Sequence, residues 1–214
     1  MIKEVCVKNF TDIPRMIDAG ANRIELNNDL AAGGTTPSFG VIKQSVKYAH
    51  NHNVPVVVMI RPRGGNFVYS DEEFEIMEND LQSAGMQNVD GVAFGCLTAD
   101  NKLDKPKMVR LCQLARELKL DIVLHMAFDE MTHDDKIESL DWLKSQGVKR
   151  ILTHGGALNT NILDNADNLR ELIAHAKGKI DILPGGGITA ENYQEVIAAL
   201  GVDQVHGTKI VSMK

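Results

Sequence analysis

Two arginines, Arg61 and Arg63, stand two residues apart at the end of an apolar run in segment 58–65, VMIRPRGG. At strand spacing both guanidinium groups leave the same face of a sheet. In a chain of 214 residues and net charge -6, such a pair predicts a local anion site that the overall charge does not account for. Glu25 and His125 are the residues best suited to exchange protons beside it, because burial and neighbours raise a carboxylate and tune an imidazole toward neutral pH. Asp129 lies four residues beyond His125, on the same expected face. Gly185, Gly186 and Gly187 follow a further apolar run, with Thr189 as the expected N-cap of the next helix, and Gly207 and Thr208 follow another. Backbone N–H groups of such glycines approach anions closely, so these residues are expected to bind phosphate or carboxylate. The same residues equally suit a buried salt-bridge network and tight turns.

A weak repeat indicates what positions them. Segments 19–26, 84–92, 146–153 and 200–206 each place a glycine after a helical stretch and before a short apolar strand. Further apolar runs at 3–7, 55–60, 121–125 and 179–183 bring the strand count to eight. Between them Ser70 and Glu73 form a capping box ahead of Phe74, Met77 and Leu81, and Thr132 precedes Ile137, Leu140 and Leu143 at helical spacing. Alternation of eight strands with helices predicts an α/β fold, a (β/α)8 TIM barrel, as one domain over 1–214. The chain ends six residues after Thr208, so a full eighth helix is not expected. An uncovered strand face would follow, and a homodimer is expected to cover it.

In such a barrel apolar residues face the helices, and polar residues at alternate positions face the lumen. Ile24 and Leu26 then point outward, leaving Glu25 and Asn27 inward. By the same parity Glu4 and Cys6, Arg61 and Arg63, His125, and Gln204, His206 and Thr208 point inward. The loop at 28–38 is long for its position and could form a lid.

Composition narrows the function classes. No apolar run approaches a membrane span and no secretory signal opens the chain, so a soluble cytoplasmic protein without a membrane partner is expected. Three cysteines, Cys6, Cys96 and Cys112, show no paired spacing, which fits a reducing compartment. The acidic balance and scattered lysines argue against nucleic acid.

These residues together resemble the CutC family of copper homeostasis proteins. The resemblance is carried by RIEL at 23–26, GGTTPS at 33–38, VMIRPRGG at 58–65, AFD at 127–129, RILT at 150–153 and PGGG at 184–187. It implies a cytoplasmic TIM barrel associated with copper tolerance and copper binding, with Glu25, Arg61, Arg63, His125 and Asp129 as a shared pocket. Asn27 stands where a cysteine is common in the family, Met126 where an arginine is common, and His154 where a serine is usual. Among the remaining thiols Cys6 is the expected metal ligand, since Cu(I) prefers soft donors. Site chemistry alone suggests a different reading. Without a metal, Arg61, Arg63 and the glycine loops are expected to fix a small anionic, phosphorylated substrate for isomerase, epimerase or lyase chemistry by Glu25 and His125.

Overall fold

A computed structural model describes residues 1–212; residues 213 and 214, the last of the expected 1–214 unit, lie outside the described residues. Eight strands, β1 (Ile2–Lys8), β2 (Arg23–Asn27), β3 (Val56–Met59), β4 (Gly91–Phe94), β5 (Asp121–Leu124), β6 (Val148–Thr153), β7 (Asp181–Pro184) and β8 (Gln204–Gly207), form one parallel sheet. Their order is β7-β6-β5-β4-β3-β2-β1-β8. The helices α1 (Ile13–Asp18), α2 (Phe39–Asn51), α3 (Asp71–Gly85), α4 (Lys105–Glu117), α5 (His133–Ser145), α6 (Ala166–Ala176) and α7 (Tyr193–Leu200) alternate with them. The expected (β/α)8 barrel is present, and no helix follows β8 among the described residues.

Strand alternation divides the apolar residues into two bodies. Val5, Ile24, Leu26, Val58, Val92 and Phe94 point outward into a continuous core beneath the helices. Val57, Met59, Ala93, Val123, Leu152 and Leu183 point inward and pack together inside the barrel. Both faces of the sheet are therefore dry, as a parallel sheet requires.

Local chemistry starts and stops the helices. Ser70 accepts the Glu73 N–H at 3.2 Å while the Glu73 carboxylate takes the Ser70 N–H at 3.0 Å, completing the expected capping box. Ser38 and Thr132 cap α2 and α5 in the same way with a hydroxyl oxygen. The start of α7 differs from expectation: its N-cap is Asn192, not Thr189. The Asn192 side chain binds the Thr189 N–H at 2.8 Å and the Gly187 carbonyl at 3.0 Å, making a turn before the helix. The repeat also departs from pattern once. Gly201 ends α7 in the left-handed region, whereas Gly85 is still helical and Asn88, φ 57°, takes the left-handed position after α3.

The barrel closes at β7 and β8 without a strand ladder between them. Instead the Ala190 N–H donates to the Lys209 carbonyl at 2.8 Å just beyond the two strands. Gly207 packs so tightly under Ile188 that a Cβ there would lie 2.2 Å from the Ile188 carbonyl oxygen. The uncovered strand face from which a homodimer was expected is not present among the described residues. Val205 is fully buried, and Ile210 and Val211 join the same core in place of a helix.

The seam makes a simple stability test. Gly207 has no left-handed backbone to relieve, so Gly207→Ala acts by steric overlap alone and should cost about 1–3 kcal/mol, as overpacking does. Urea unfolding should show a lowered midpoint with an unchanged slope; an unchanged midpoint would mean the seam yields freely.

Candidate functional site

Strand register assembles one wall of the barrel interior from charged residues. Glu4 on β1 lies opposite Arg23 on β2 and His206 on β8, and Cys6 lies opposite Glu25. Inward parity then turns these side chains toward one another. The Arg23 Nε donates to the Glu4 carboxylate, and Arg23 Nη2 donates to Gln204 Oε1 at 2.9 Å. His206 Nδ1 meets Glu4 Oε1 at 2.7 Å, and its Nε2 lies 3.8 Å from Glu25 Oε2. Asn27 Nδ2 donates to Glu25 Oε2 at 3.0 Å and to Cys6 Sγ at 3.3 Å.

Burial and charge act against each other along this chain. Burial opposes ionisation of Glu4, but the bonds and charges of His206 and Arg23 outweigh it and hold the carboxyl at about 2. Burial likewise disfavours a charged His206, yet Glu25 and Glu4 raise its pKa. For Cys6 burial and Glu25 act together, pushing the thiol well above its ordinary value, so it stands as a neutral S–H.

The opposite wall is built by the ends of β3 and β5. Arg61 is buried, and its Nη1 donates to the carbonyls of Ala32, Gly33 and Gly34 at 3.1, 3.0 and 3.2 Å. Its Nη2 donates to Gly65 at 2.6 Å. The guanidinium thus ties loop 28–38 across the mouth of the barrel. His125 Nδ1 accepts the Ala127 N–H at 3.2 Å at the start of a 3-10 turn, Met126–Glu130. Burial, with Arg61 adding to it, lowers the imidazole to about 3, so the ring is neutral and carries its proton on Nε2. Phe67 lies against both, 4.6 Å from the Arg61 guanidinium carbon and 5.0 Å from the His125 ring centre.

Between the walls is a cavity of about 100 Å³ lined by Cys6, Glu25, Asn27, Arg61, His125 and His206, with Leu30, Gly33, Met59, Phe67, Met126 and Leu152. Three buried polar atoms of these residues have no hydrogen-bond partner: His125 Nε2, Arg61 Nε and Asn27 Oδ1.

Glu25, Arg61, His125 and Cys6, four of the expected site residues, therefore share one cavity. Others lie elsewhere. Arg63 leaves strand parity after Pro62, turns outward, and pairs with Glu73 at 2.5 Å over the Tyr69 ring. Asp129 does not reach the cavity. It accepts the N–H groups of His154 and Gly155 at 2.8 and 3.2 Å and the Thr153 hydroxyl, which fastens the end of β6. Gly185, Gly186 and Gly187 do not line the cavity either: the Gly185 N–H is taken by the Thr153 carbonyl, and Gly186 packs on His154. Gly207 is the tight contact at the barrel seam, and Thr208 is exposed on the outer rim because the strand ends before it. Arg23 was missed by sequence reasoning, although it shares the parity of Glu25 and Asn27, and His206 was read as inward but given no role in the site. Phe67 sits in a loop and has no periodic signal to reveal it.

The pattern of the CutC family matches residues 1–211. A CutC family protein of Enterococcus faecalis is 53% identical over 211 residues, covering 99% of this chain and 100% of the relative. A copper homeostasis protein cutC homolog of Homo sapiens is 41% identical over 208 residues, 96% of this chain and 72% of the relative. The crystal structure of a CutC protein from Streptococcus agalactiae matches with a TM-score of 0.94 at 43% identity, over 99% of this chain and 100% of that one. A deoxyribose phosphate aldolase from Aeropyrum pernix, at 11% identity, shares the fold alone, with a TM-score of 0.73 over 99% of this chain and 86% of its own.

The neutral His125 has a measurable consequence. Its pKa falls from 6.5 to about 3 on folding, so between those values the unfolded chain binds a proton that the folded one refuses. Its contribution to stability is complete above pH 6.5 and is lost as pH falls toward 3. His206, raised on folding, acts in the opposite sense, so the informative quantity is a difference. Unfolding free energies of wild type and His125→Gln, measured by urea across this range, should show a flatter acid decline in the variant. Parallel curves would contradict a buried neutral imidazole.

Proposed function

Because this chain belongs to the CutC family, we propose that it serves copper homeostasis in the cytoplasm by holding Cu(I) at the charged wall of the barrel interior. One observation carries the reading: a sulfur of Cys6, a carboxylate oxygen of Glu25 and a ring nitrogen of His206 all lie within 4.8 Å of one another. The donor set suits a soft cation, with one thiol and one imidazole beside a carboxylate, and the thioethers of Met59 and Met126 line the same cavity. Glu4 holds Nδ1 of His206 and leaves Nε2 toward Glu25, the carboxylate–histidine arrangement that orients metal-binding imidazoles.

The protein's own protons set the conditions of binding. Cys6 is an S–H and His206 favours its charged form, so a metal displaces a proton from each. Affinity should therefore rise with pH. Cytoplasmic location is supported by three buried free thiols, and no helix among the described residues is long and apolar enough to cross a membrane.

Anaerobic competition of the purified protein against a chromophoric Cu(I) chelator tests the proposal. Glu4→Gln, which removes an orienting group, should weaken Cu(I) binding by about 10–100-fold. Cys6→Ser should weaken it further, and the wild-type affinity should increase from mildly acidic to neutral pH with proton release. Affinity unchanged in Cys6→Ser would overturn the assignment.

A further inference from the structure

The wall facing the metal donors carries groups that copper binding does not use. Arg61 is 4% exposed, yet none of the ion pairs among the described residues includes it. Its terminal nitrogens bond backbone carbonyls, which are neutral acceptors. The neighbouring Tyr69 phenol lies close enough to the guanidinium for Arg61 to oppose its rise, but it is not a counter-ion, because burial still raises it to about 12 and keeps it neutral. A buried guanidinium without a carboxylate is costly unless something anionic reaches it. Its remaining donor, Nε–H, has no partner, and neither has His125 Nε2, on a residue 2% exposed. Phe67 stands within 5.0 Å of both groups, and all three residues line the same cavity.

We propose that this corner is a binding site for a compact monocarboxylate, whose oxygens accept from Arg61 Nε and His125 Nε2. The charge sign follows from the unpaired guanidinium. Two donors on neighbouring groups match the two oxygens of a carboxylate. Size follows from the cavity of about 100 Å³, closed over by loop 28–38, which admits a molecule of two to about four carbons but not a sugar phosphate. A neutral His125 is the form that donates without adding a second cation, so a single negative charge is matched and a dianion is not. The site uses no atom of the Cys6, Glu25 and His206 set and stands whether or not copper binds there. It also differs from the phosphate site expected at the glycine loops, whose residues do not line this cavity.

The test uses metal-free, full-length protein titrated with sodium acetate, glycolate and pyruvate, with sodium chloride and inorganic phosphate as controls at matched ionic strength. The first readout is the His125 Nε2–H resonance of the wild type, which should move saturably with at least one carboxylate. The second is the thermal midpoint, which should rise with the concentration of the same carboxylate by mass action. His125→Phe should lose the thermal response. No saturable movement with any carboxylate, an equal response to phosphate, or a thermal response retained in His125→Phe would each overturn the proposal. Should His125→Phe fail to fold, the wild-type resonance decides alone.

Discussion

The structure depends on one buried carboxylate. Glu4 lies in the barrel interior between a guanidinium on β2 and an imidazole on β8, and so links the three strands at the point where the chain begins and ends its sheet. Removing one member of a buried ion set leaves an uncompensated charge, at a cost of about 3–5 kcal/mol. The arrangement also dictates register. A slip of one residue in β1 would send Glu4 into the apolar layer beneath the helices and bring Val5 inward. Hydrophobic alternation therefore acts together with charge pairing to hold β8, β1 and β2 in place.

That constraint divides the interior. The sector made by β8, β1 and β2 is polar, holding Gln204, His206, Glu4, Cys6, Arg23, Glu25 and Asn27. The sector made by β3 to β7 is filled by Val57, Met59, Ala93, Val123, Leu152 and Leu183. The cavity lies where the two meet. Ligands entering it would find soft sulfur and carboxylate donors on one side, and N–H donors on the other.

Much of this was legible in the sequence for physical reasons. Period-two alternation in short strands fixes which side chains face inward, and it correctly turned Glu4, Cys6, Glu25, Asn27, Gln204 and His206 into the barrel. Just past the strand ends parity still places Arg61 and His125 in the cavity, but it fails for three other residues. Arg63 follows a proline and a change of direction, and Glu73 at the start of α3 captures it. Thr208 lies one residue beyond β8 and turns to the rim. Asp129 lies within the 3-10 turn Met126–Glu130, whose path no alternation rule describes, and its carboxylate is claimed by two backbone N–H groups of the loop after β6. The glycines at 185–187 were read as an anion cradle because Gly permits one. In the structure Gly185 and Gly186 accommodate Leu152 and His154 instead, and a side chain's demand for space leaves no mark in the glycine's own sequence.

Asn27 joins the two halves of the site. Its amide nitrogen bonds both Glu25 and Cys6, so one side chain holds two of the three proposed metal donors. Its oxygen lies against Gly34, where a Cβ would come within 2.3 Å, and Gly34 in turn gives its carbonyl to Arg61 at 3.2 Å. Loop position, guanidinium and donor set are thus connected by direct contacts. A cysteine at position 27 would add a thiol but could not donate to Glu25 and Cys6 at once, nor fill the space under Gly34. The asparagine trades a soft donor for control of the donors already there. In this chain the proposed metal donors are accordingly connected to the loop above them, and Arg61 is the group that joins that loop to the cavity.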